Sequence, residues 1–407
     1  MKHQKKGQET KKSKVKKTVA VPQYYRQFQC AGAACPETCC RGWDICVDPE
    51  TMKKYRAFKR GGFDFRGGID FLRGRIRMKE GVCPFLENGL CRIHRDLGET
   101  CLCRTCRSYP RHAEDYGGRR EWSLSLSCPE AAALILKSSD GIKLQEYVLE
   151  EGREDQLLSC LLTARALMFS FLSERTHPLA YRLTMILALA HDLQPFVKRA
   201  FQGEDNRESF MHIKERLKRY ELLQTPSGYQ WFLKKISKWE NRPEERYDSM
   251  AGFLGTFGKL PEIYPGFESM ISEWMDGLYR TENGYEDYRK LAAGAAFGSD
   301  DRESSGLGLL YENLAASLLY VYVPGAVYDG DLHSKVKFVL FFVLCLREAY
   351  LASIALEEKP GEELFIKLTS RFCRQIEHSD EVLEQIERAV REQRSFRQEA
   401  FLINLLN

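Results

Sequence analysis

The sequence predicts a mixed, mostly α protein: a small cysteine-rich α+β amino-terminal unit packed on a larger all-α helical domain. Three observations lead there. Eleven of the fourteen cysteines fall between Cys30 and Cys128, among glycines, prolines and arginines. From about residue 130 the apolar side chains instead recur at three-and-four spacing, the period of a helix with one buried face. The 407 residues also exceed what one core usually serves, so two ordered regions are expected. The division predicted is a disordered basic arm over 1–20, a cysteine-rich domain over 21–150 and a helical domain over 151–407.

With 43% apolar and 29% charged residues, the composition excludes collagen-like, wholly disordered and membrane-embedded chains. The longest apolar run, Phe338 to Leu346, lies between Lys337 and Arg347. It is far short of the roughly 20 residues a bilayer requires, so no membrane span is expected. The amino terminus has no apolar stretch of the secretory kind, which predicts a cytoplasmic location. Its first 17 residues carry eight lysines and one glutamate; with +4 over the whole chain, the other 390 residues sum to −3. Such a run repels itself and buries nothing apolar, so it reads as a solvated arm, dispensable for folding. Nucleic-acid binding by the arm, with affinity falling steeply in salt, is the less favoured reading.

The cysteine-rich part contains Cys30, Cys35, Cys39, Cys40, Cys46, Cys83, Cys91, Cys101, Cys103, Cys106 and Cys128. A reducing compartment argues against disulfides. Eleven thiols beside Gly, Pro and Arg make a poor apolar core, which leaves metal or cluster ligation. Zinc sites usually show two close cysteine pairs. Cys103 with Cys106 and Cys35 with Cys39 come nearest. The adjacent Cys39 and Cys40, the irregular remaining gaps and the surplus of thiols favour an iron–sulfur cluster over zinc. His94 and His112 could complete a mixed site, though a lone histidine in a loop is more often a surface residue or hydrogen-bond partner. All of this requires that the thiols converge in space.

In the segment 82–93, Asn88-Gly89 predicts a two-residue hairpin turn. An unbroken ladder would pair Leu86 with Cys91 and Glu87 with Leu90, placing Cys83 on the face opposite Cys91. Both sulfurs serve one centre only if pairing breaks near Pro84, which has no amide hydrogen.

The run Cys30-Ala31-Gly32-Ala33-Ala34-Cys35-Pro36-Glu37-Thr38-Cys39-Cys40-Arg41-Gly42-Trp43, followed by Cys83-Pro84-Phe85-Leu86 and Leu90-Cys91-Arg92-Ile93, resembles the flagellin lysine-N-methylases. The likeness continues through Cys106-Arg107-Ser108-Tyr109-Pro110-Arg111 and Ser123 to Ala131, and more loosely around Glu312-Asn313-Leu314. The resemblance implies methyl transfer from S-adenosylmethionine to lysine side chains of flagellin, dependent on a [4Fe-4S] cluster. It implies ligands drawn from Cys30, Cys35, Cys39, Cys40, Cys83, Cys91, Cys106 and Cys128. Cys46 and Cys101 look particular to this chain, and Cys103 is intermediate. A broader group of zinc- or iron-chelating cysteine-cluster proteins overlaps the same half, so a non-catalytic chelating interaction module is the alternative. Neither membrane nor nucleic acid is an expected partner.

A lysine amine, with a reference pKa near 10.4, must lose a proton and its water before it can attack a sulfonium methyl. Candidate acceptors near the cysteines are Tyr109, Asp48 and Glu130, each with a plainer role. Asp48 before Pro49 reads as a helix cap. Glu130 after Pro129 reads as the first turn of a helix, Glu130 to Lys137. Tyr109-Pro110-Arg111 reads as a turn, with Arg111 available to cluster charge or to the adenosylmethionine carboxylate. Trp43 is expected in the core, and no catalytic base is assigned. The radical-enzyme cysteine triad is absent, because Gly42 stands where its third cysteine would. Gly306-Leu307-Gly308 follows a polar run rather than a strand and does not read as a nucleotide turn.

In the helical part, Leu157, Leu161, Ala164, Met168 and Phe171 share one face, as do Val382, Ile386, Ala389 and Val390. Phe338, Phe341 and Phe342 are spaced as core, and the charged run Glu381 to Arg397 as a solvated face. Boundaries are predicted at His177-Pro178, Pro195, Pro243, Pro261 and Pro265, Pro324-Gly325 and Pro360-Gly361, giving eight or more helices.

Overall fold

The computed structural model describes residues 16–58, 63–152, 155–203, 206–292 and 307–407. The strands are β1 (Lys17–Pro22), β2 (Ile69–Asp70), β3 (Arg75–Ile76), β4 (Leu86–Glu87), β5 (Leu90–Cys91), β6 (Arg111–Asp115), β7 (Arg119–Leu124) and β8 (Leu144–Glu150). Interleaved with them are α1 (Pro49–Ala57), α2 (Arg104–Ser108) and α3 (Pro129–Leu136). The helical part then runs α4 (Gln156–Ser173), α5 (Leu179–Gln202), α6 (Asn206–Glu221), α7 (Pro226–Ile236), α8 (Pro243–Phe257), α9 (Phe267–Tyr279) and α10 (Tyr285–Ala292). It ends with α11 (Leu307–Tyr322), α12 (Ala326–Asp329), α13 (Leu332–Ala355), α14 (Glu362–Glu377), α15 (Asp380–Glu392) and α16 (Gln398–Leu406). The mixed, mostly helical architecture is thus observed.

The four-stranded sheet has the order β6-β7-β1-β8. β1 lies parallel to β7, Thr18 opposite Arg119, and antiparallel to β8. The chain therefore leaves the sheet at Pro22 and returns at Arg111. Everything between is an excursion from the sheet, and it has its own small core of Ile45, Val47, Met52, Tyr55, Phe65, Ile69, Ile76, Phe85 and Ile93 with Cys40, Cys83 and Cys103. Leu124, Leu126, Ala131, Ala132 and Ile135 belong instead to the large helical core. The buried Glu121 of β7 fastens the sheet to α4 through Arg165, at 2.6 and 2.8 Å. The cysteine-rich unit is thus an insertion within a sheet that packs with the helices, which the expected boundary at 150 does not separate. β1 also takes up residues 17–20 of the expected arm, whose residues 1–15 lie outside the described residues.

α13 runs through the middle of the helical part, against α5, α9, α11, α14 and α15. By length and composition α4 and α13 could each cross a membrane, contrary to the reading from the short apolar run, yet 56% and 89% of their apolar windows are buried in protein. Within α13, Lys337 donates to the carbonyls of Val390 and Phe396, and Glu348 pairs with Arg246 at 2.5 Å. Phe338, Phe341 and Phe342 are core, as expected. Pro195 does not end a helix but sits inside α5, because the buried stripe Leu183, Ile186, Leu187, Ala190, Leu193 and Val197 continues across it. Packing of that stripe outweighs one missing helix hydrogen bond. Gly306 lies outside the described residues, and Leu307 and Gly308 open α11.

A thiol group beside a candidate cleft

Local chemistry aims the sulfurs. Asn88 and Gly89 take φ of 50° and 77°, forming the expected turn, and the ladder pairs Leu86 with Cys91 and Glu87 with Leu90. Pairing then departs at Pro84, and the Cys83 amide donates to the Cys40 carbonyl at 2.9 Å. The break lets Cys83 and Cys91 both reach the Cys40 thiol, which also meets that of Cys39. Backbone amides point at several sulfurs: Glu37 at Cys35, Phe85 at Cys83, Ile93 and His94 at Cys91, Thr105 and Cys106 at Cys103, Glu130 and Ala131 at Cys128. Cys103 and Cys128 stand at the N-caps of α2 and α3. Amides so directed favour a thiolate and pre-set its orientation.

The thiols share protons in pairs. Hydrogen bonds from Cys40 hold Cys83 below the usual thiol range and bring Cys91 down to about 6. The bond with Cys40 and then burial push Cys39 up, while Cys106, bonded to Cys103, is raised as Cys103 is lowered. Burial pushes Cys128 up to about 11. Cys30, Cys35 and Cys39 interact, and Cys128 senses Cys35 and Cys39, so the eight expected cysteines form one continuous group with Cys103. Cys46 is exposed on a bridge to Arg75. Cys101 joins the unit through its carbonyl, which accepts from Tyr55. His94 adds positive potential at Cys91, whereas His112 lies by Glu114 at 3.6 Å. Among the described residues no three His, Cys, Asp or Glu side chains are arranged to enclose a metal ion. The thiols meet in pairs rather than around a common point, since Cys40 itself sits among Cys39, Cys83 and Cys91, bonded to them.

Helix α14 stitches this group to the helical part. Buried Arg374 donates to the carbonyls of Ser127 (3.0 Å), Thr38 (3.2 Å) and Glu37, and its charge reaches Cys35 and Cys39. Arg371 pairs with Glu37 at 2.7 Å, and Tyr264 donates to the same carboxylate. Gly42, at φ 78°, lets the thiol loop pass the ring of Pro265, which an added Cβ would meet at 3.0 Å.

Between the thiol unit, β6, β7 and helices α11, α14 and α15 opens a cleft of about 590 Å³, a size usual for small-molecule sites. Trp43, expected in the core, is half-buried and lines this cleft, its ring 4.5 Å from His378 and 5.6 Å from Tyr109, its indole N–H on the Cys39 carbonyl. Ser125 donates to Glu377 at 2.5 Å and lies 2.6 Å from Ser127, whose hydroxyl also meets Tyr109 at 3.0 Å and His378 at 2.8 Å. Burial lifts Glu377 to about 7, against donation from Ser125 and Cys373. Burial, then Arg374, lowers His378 to about 3.

Arg111 lines the cleft too, its guanidinium over the rings of Tyr25 and Phe28. The arginine whose charge reaches the thiols is Arg374, which sequence reasoning missed. It also missed Glu377, His378 and the two serines. The available signal was the polar pair Arg374-Gln375 on a fully buried stretch of α14. Asp48 caps α1 through Thr51, as expected, and also accepts the Arg104 amide at the start of α2. Glu130 sits in the first turn of α3, which runs Pro129–Leu136.

Fold and site together define a thiol-rich unit set into a helical body, with a cleft between them. The model of the FliB lysine N-methylase C-terminal domain matches residues 165–405. The chain belongs to the FliB lysine N-methylase family. The flagellar biosynthetic protein FliU of Salmonella muenchen is 38% identical over 140 residues, 32% of this chain and 83% of that protein. Lysine-N-methylases of Salmonella choleraesuis (strain SC-B67) and Salmonella typhimurium (strain LT2) are each 38% identical over 143 residues. That alignment covers 32% of this chain and 36% of theirs, so it spans about a third of their length. No solved structure matches.

Proposed function

We propose that this protein transfers methyl groups from S-adenosylmethionine to lysine side chains of flagellin, in the cytoplasm, and that it depends on an iron–sulfur cluster held by its amino-terminal cysteines. The observation that carries the reading is the cleft's position: one wall, Trp43 and Tyr109, belongs to the thiol unit, and the facing wall carries an acid raised toward neutrality. The donor set suits such a centre in its chemistry, with soft sulfurs in number and amides directed at five of them. Cys35, Cys39, Cys40, Cys83, Cys91 and Cys128, with Cys103 and Cys106 alongside, would hold it; Cys30 completes the set at the exposed edge. When bound, a cluster supplies a compact anionic, redox-active body that locks the thiol loops behind the cleft.

The chain's own residues do the rest. Arg111 faces the cleft with a planar guanidinium suited to the donor's carboxylate. Aromatic walls exclude water and favour cations. The test is to purify the protein without oxygen, count iron and sulfide, and assay flagellin methylation before and after the cluster is removed. Iron and sulfide in comparable amounts, with methylation lost on removal, is the expected result. Full methylation by metal-free protein would overturn the cluster requirement, and none by loaded protein would overturn the activity.

A further inference from the structure

Among the described residues the buried acids are each paired with arginine, and the half-buried Glu377 at the cleft departs from that pattern. Glu121 is paired with Arg119 and Arg165, Glu312 with Arg175 and Arg182, and Glu348 with Arg246. That is how buried carboxylates are normally made tolerable. Glu377 closes α14 at the cleft, and among the described residues its donors are the Ser125 hydroxyl and the Cys373 thiol, with no cation paired to it. Neighbouring charges are already engaged or absent. Lys335 is bound by Glu387 at 2.7 Å and Asp329 at 3.2 Å, Arg374 is committed to the thiol loop, and His378 is neutral at physiological pH. Tyr322 of α11 is un-ionised and faces the same space, as does Asp380 of α15.

We propose that Glu377 is the catalytic residue that receives the ammonium of the acceptor lysine and takes its proton, with the rings of Trp43 and Tyr109 flanking the side chain. This deepens the methyl-transfer reading and rests on it. The substrate cation supplies the partner that the fold withholds, and the aromatic rings lining the same cleft favour an ammonium further. The proton passes from the ammonium to a Glu377 oxygen, leaving a neutral amine. The nitrogen lone pair then attacks the sulfonium methyl: the N–C bond forms as the C–S bond breaks, its electron pair stays on sulfur, and a thioether departs. The methylated nitrogen keeps one positive charge, and the proton on Glu377 is released to water.

Ser125 and Ser127 are positioning residues. They link the carboxylate to Tyr109 and His378, so that one chain of hydrogen bonds joins the acid to the aromatic wall. Among the described residues the buried His378 Nδ1 has no partner and is free to bind a polar group of the substrate.

The experiment uses cluster-loaded full-length protein and a lysyl peptide from flagellin. Glu377→Gln, which keeps the shape, should lower kcat by about 100-fold or more with the KM for adenosylmethionine unchanged. It should also abolish the rise of activity through pH 7. Ser125→Ala removes a bond that favours the charged carboxylate and should move that rise to higher pH. Calorimetry separates this idea from the function it rests on: the parent should bind the lysyl peptide about tenfold more tightly than its acetyl-lysine counterpart, and the Gln variant should not discriminate. An active parent whose Gln variant keeps rate and pH profile overturns the role of Glu377, as does equal binding of the two peptides. A parent that discriminates charge but transfers no methyl group leaves the ammonium site standing and overturns the methyl-transfer reading.

Discussion

Glu377 carries its environment into stability as well as chemistry. Its folded pKa, about 7, lies above the ordinary value of 4.5, because burial disfavours the charged form. The stability it contributes is complete below about pH 4.5 and lost as pH rises through 7. Glu377→Gln should therefore unfold at higher urea than the parent at pH 8, by about 1–3 kcal/mol, and match it at pH 4.5. Arg374 is the opposite case, a buried cation that saturates three carbonyls of the thiol and serine segments. Arg374→Met keeps the stem but strands those oxygens, while the Glu37 carboxylate keeps Arg371 and Tyr264. The expected loss is about 3 kcal/mol, read by urea unfolding, with weaker iron retention because Cys35 and Cys39 lose their anchor.

At the scale of elements, Asp48 serves two helices. It accepts from Thr51 at 3.0 Å in α1 and from Arg104 at 2.8 Å at the head of α2, which presents Cys106. Burial opposes the charge, but the amides of Arg104 and Thr51 win and bring the carboxyl down to about 2. Its contribution is present above the unfolded pKa near 3.9 and fades as pH falls toward 2. Asp48→Ala should cost about 1–2 kcal/mol at pH 7 and progressively less below pH 4, by thermal unfolding across that range. Such features are legible in sequence because cap and helix, or turn and strand, lie within a few residues. Asn88-Gly89, Asp48-Pro49 and Pro129-Glu130 all take the forms their local chemistry dictates. Pro195 does not, because the stripe it interrupts is buried by helices distant in the chain.

For the whole molecule, the decisive feature is two cores of unequal size. Among the described residues the inserted thiol unit buries twelve apolar side chains, too few to be secure without a staple, while the helical core is many times larger. Stripping bound metal or cluster with a chelator should therefore raise amide exchange over residues 30–108 and leave α4, α5 and α13 protected. Equal loosening of both regions would show one cooperative unit instead. The family match falls on 165–405, where a single sequence shows only helical periodicity. Core positions there accept many apolar side chains of similar volume, so no compact motif marks them.

The amino-acid order by itself determined the elements with short-range causes: the helical periods, the caps, the Asn-Gly hairpin, and the crowding of thiols into one stretch. Tertiary structure alone decided that β1 pairs with β7 across the whole thiol unit, that Cys40 sits at the centre of that group, and that Glu377 meets Ser125 across 252 residues. The reason is range. Dihedral preferences and caps act over a few residues, whereas a cleft is made by contacts whose partners only the packed core brings together.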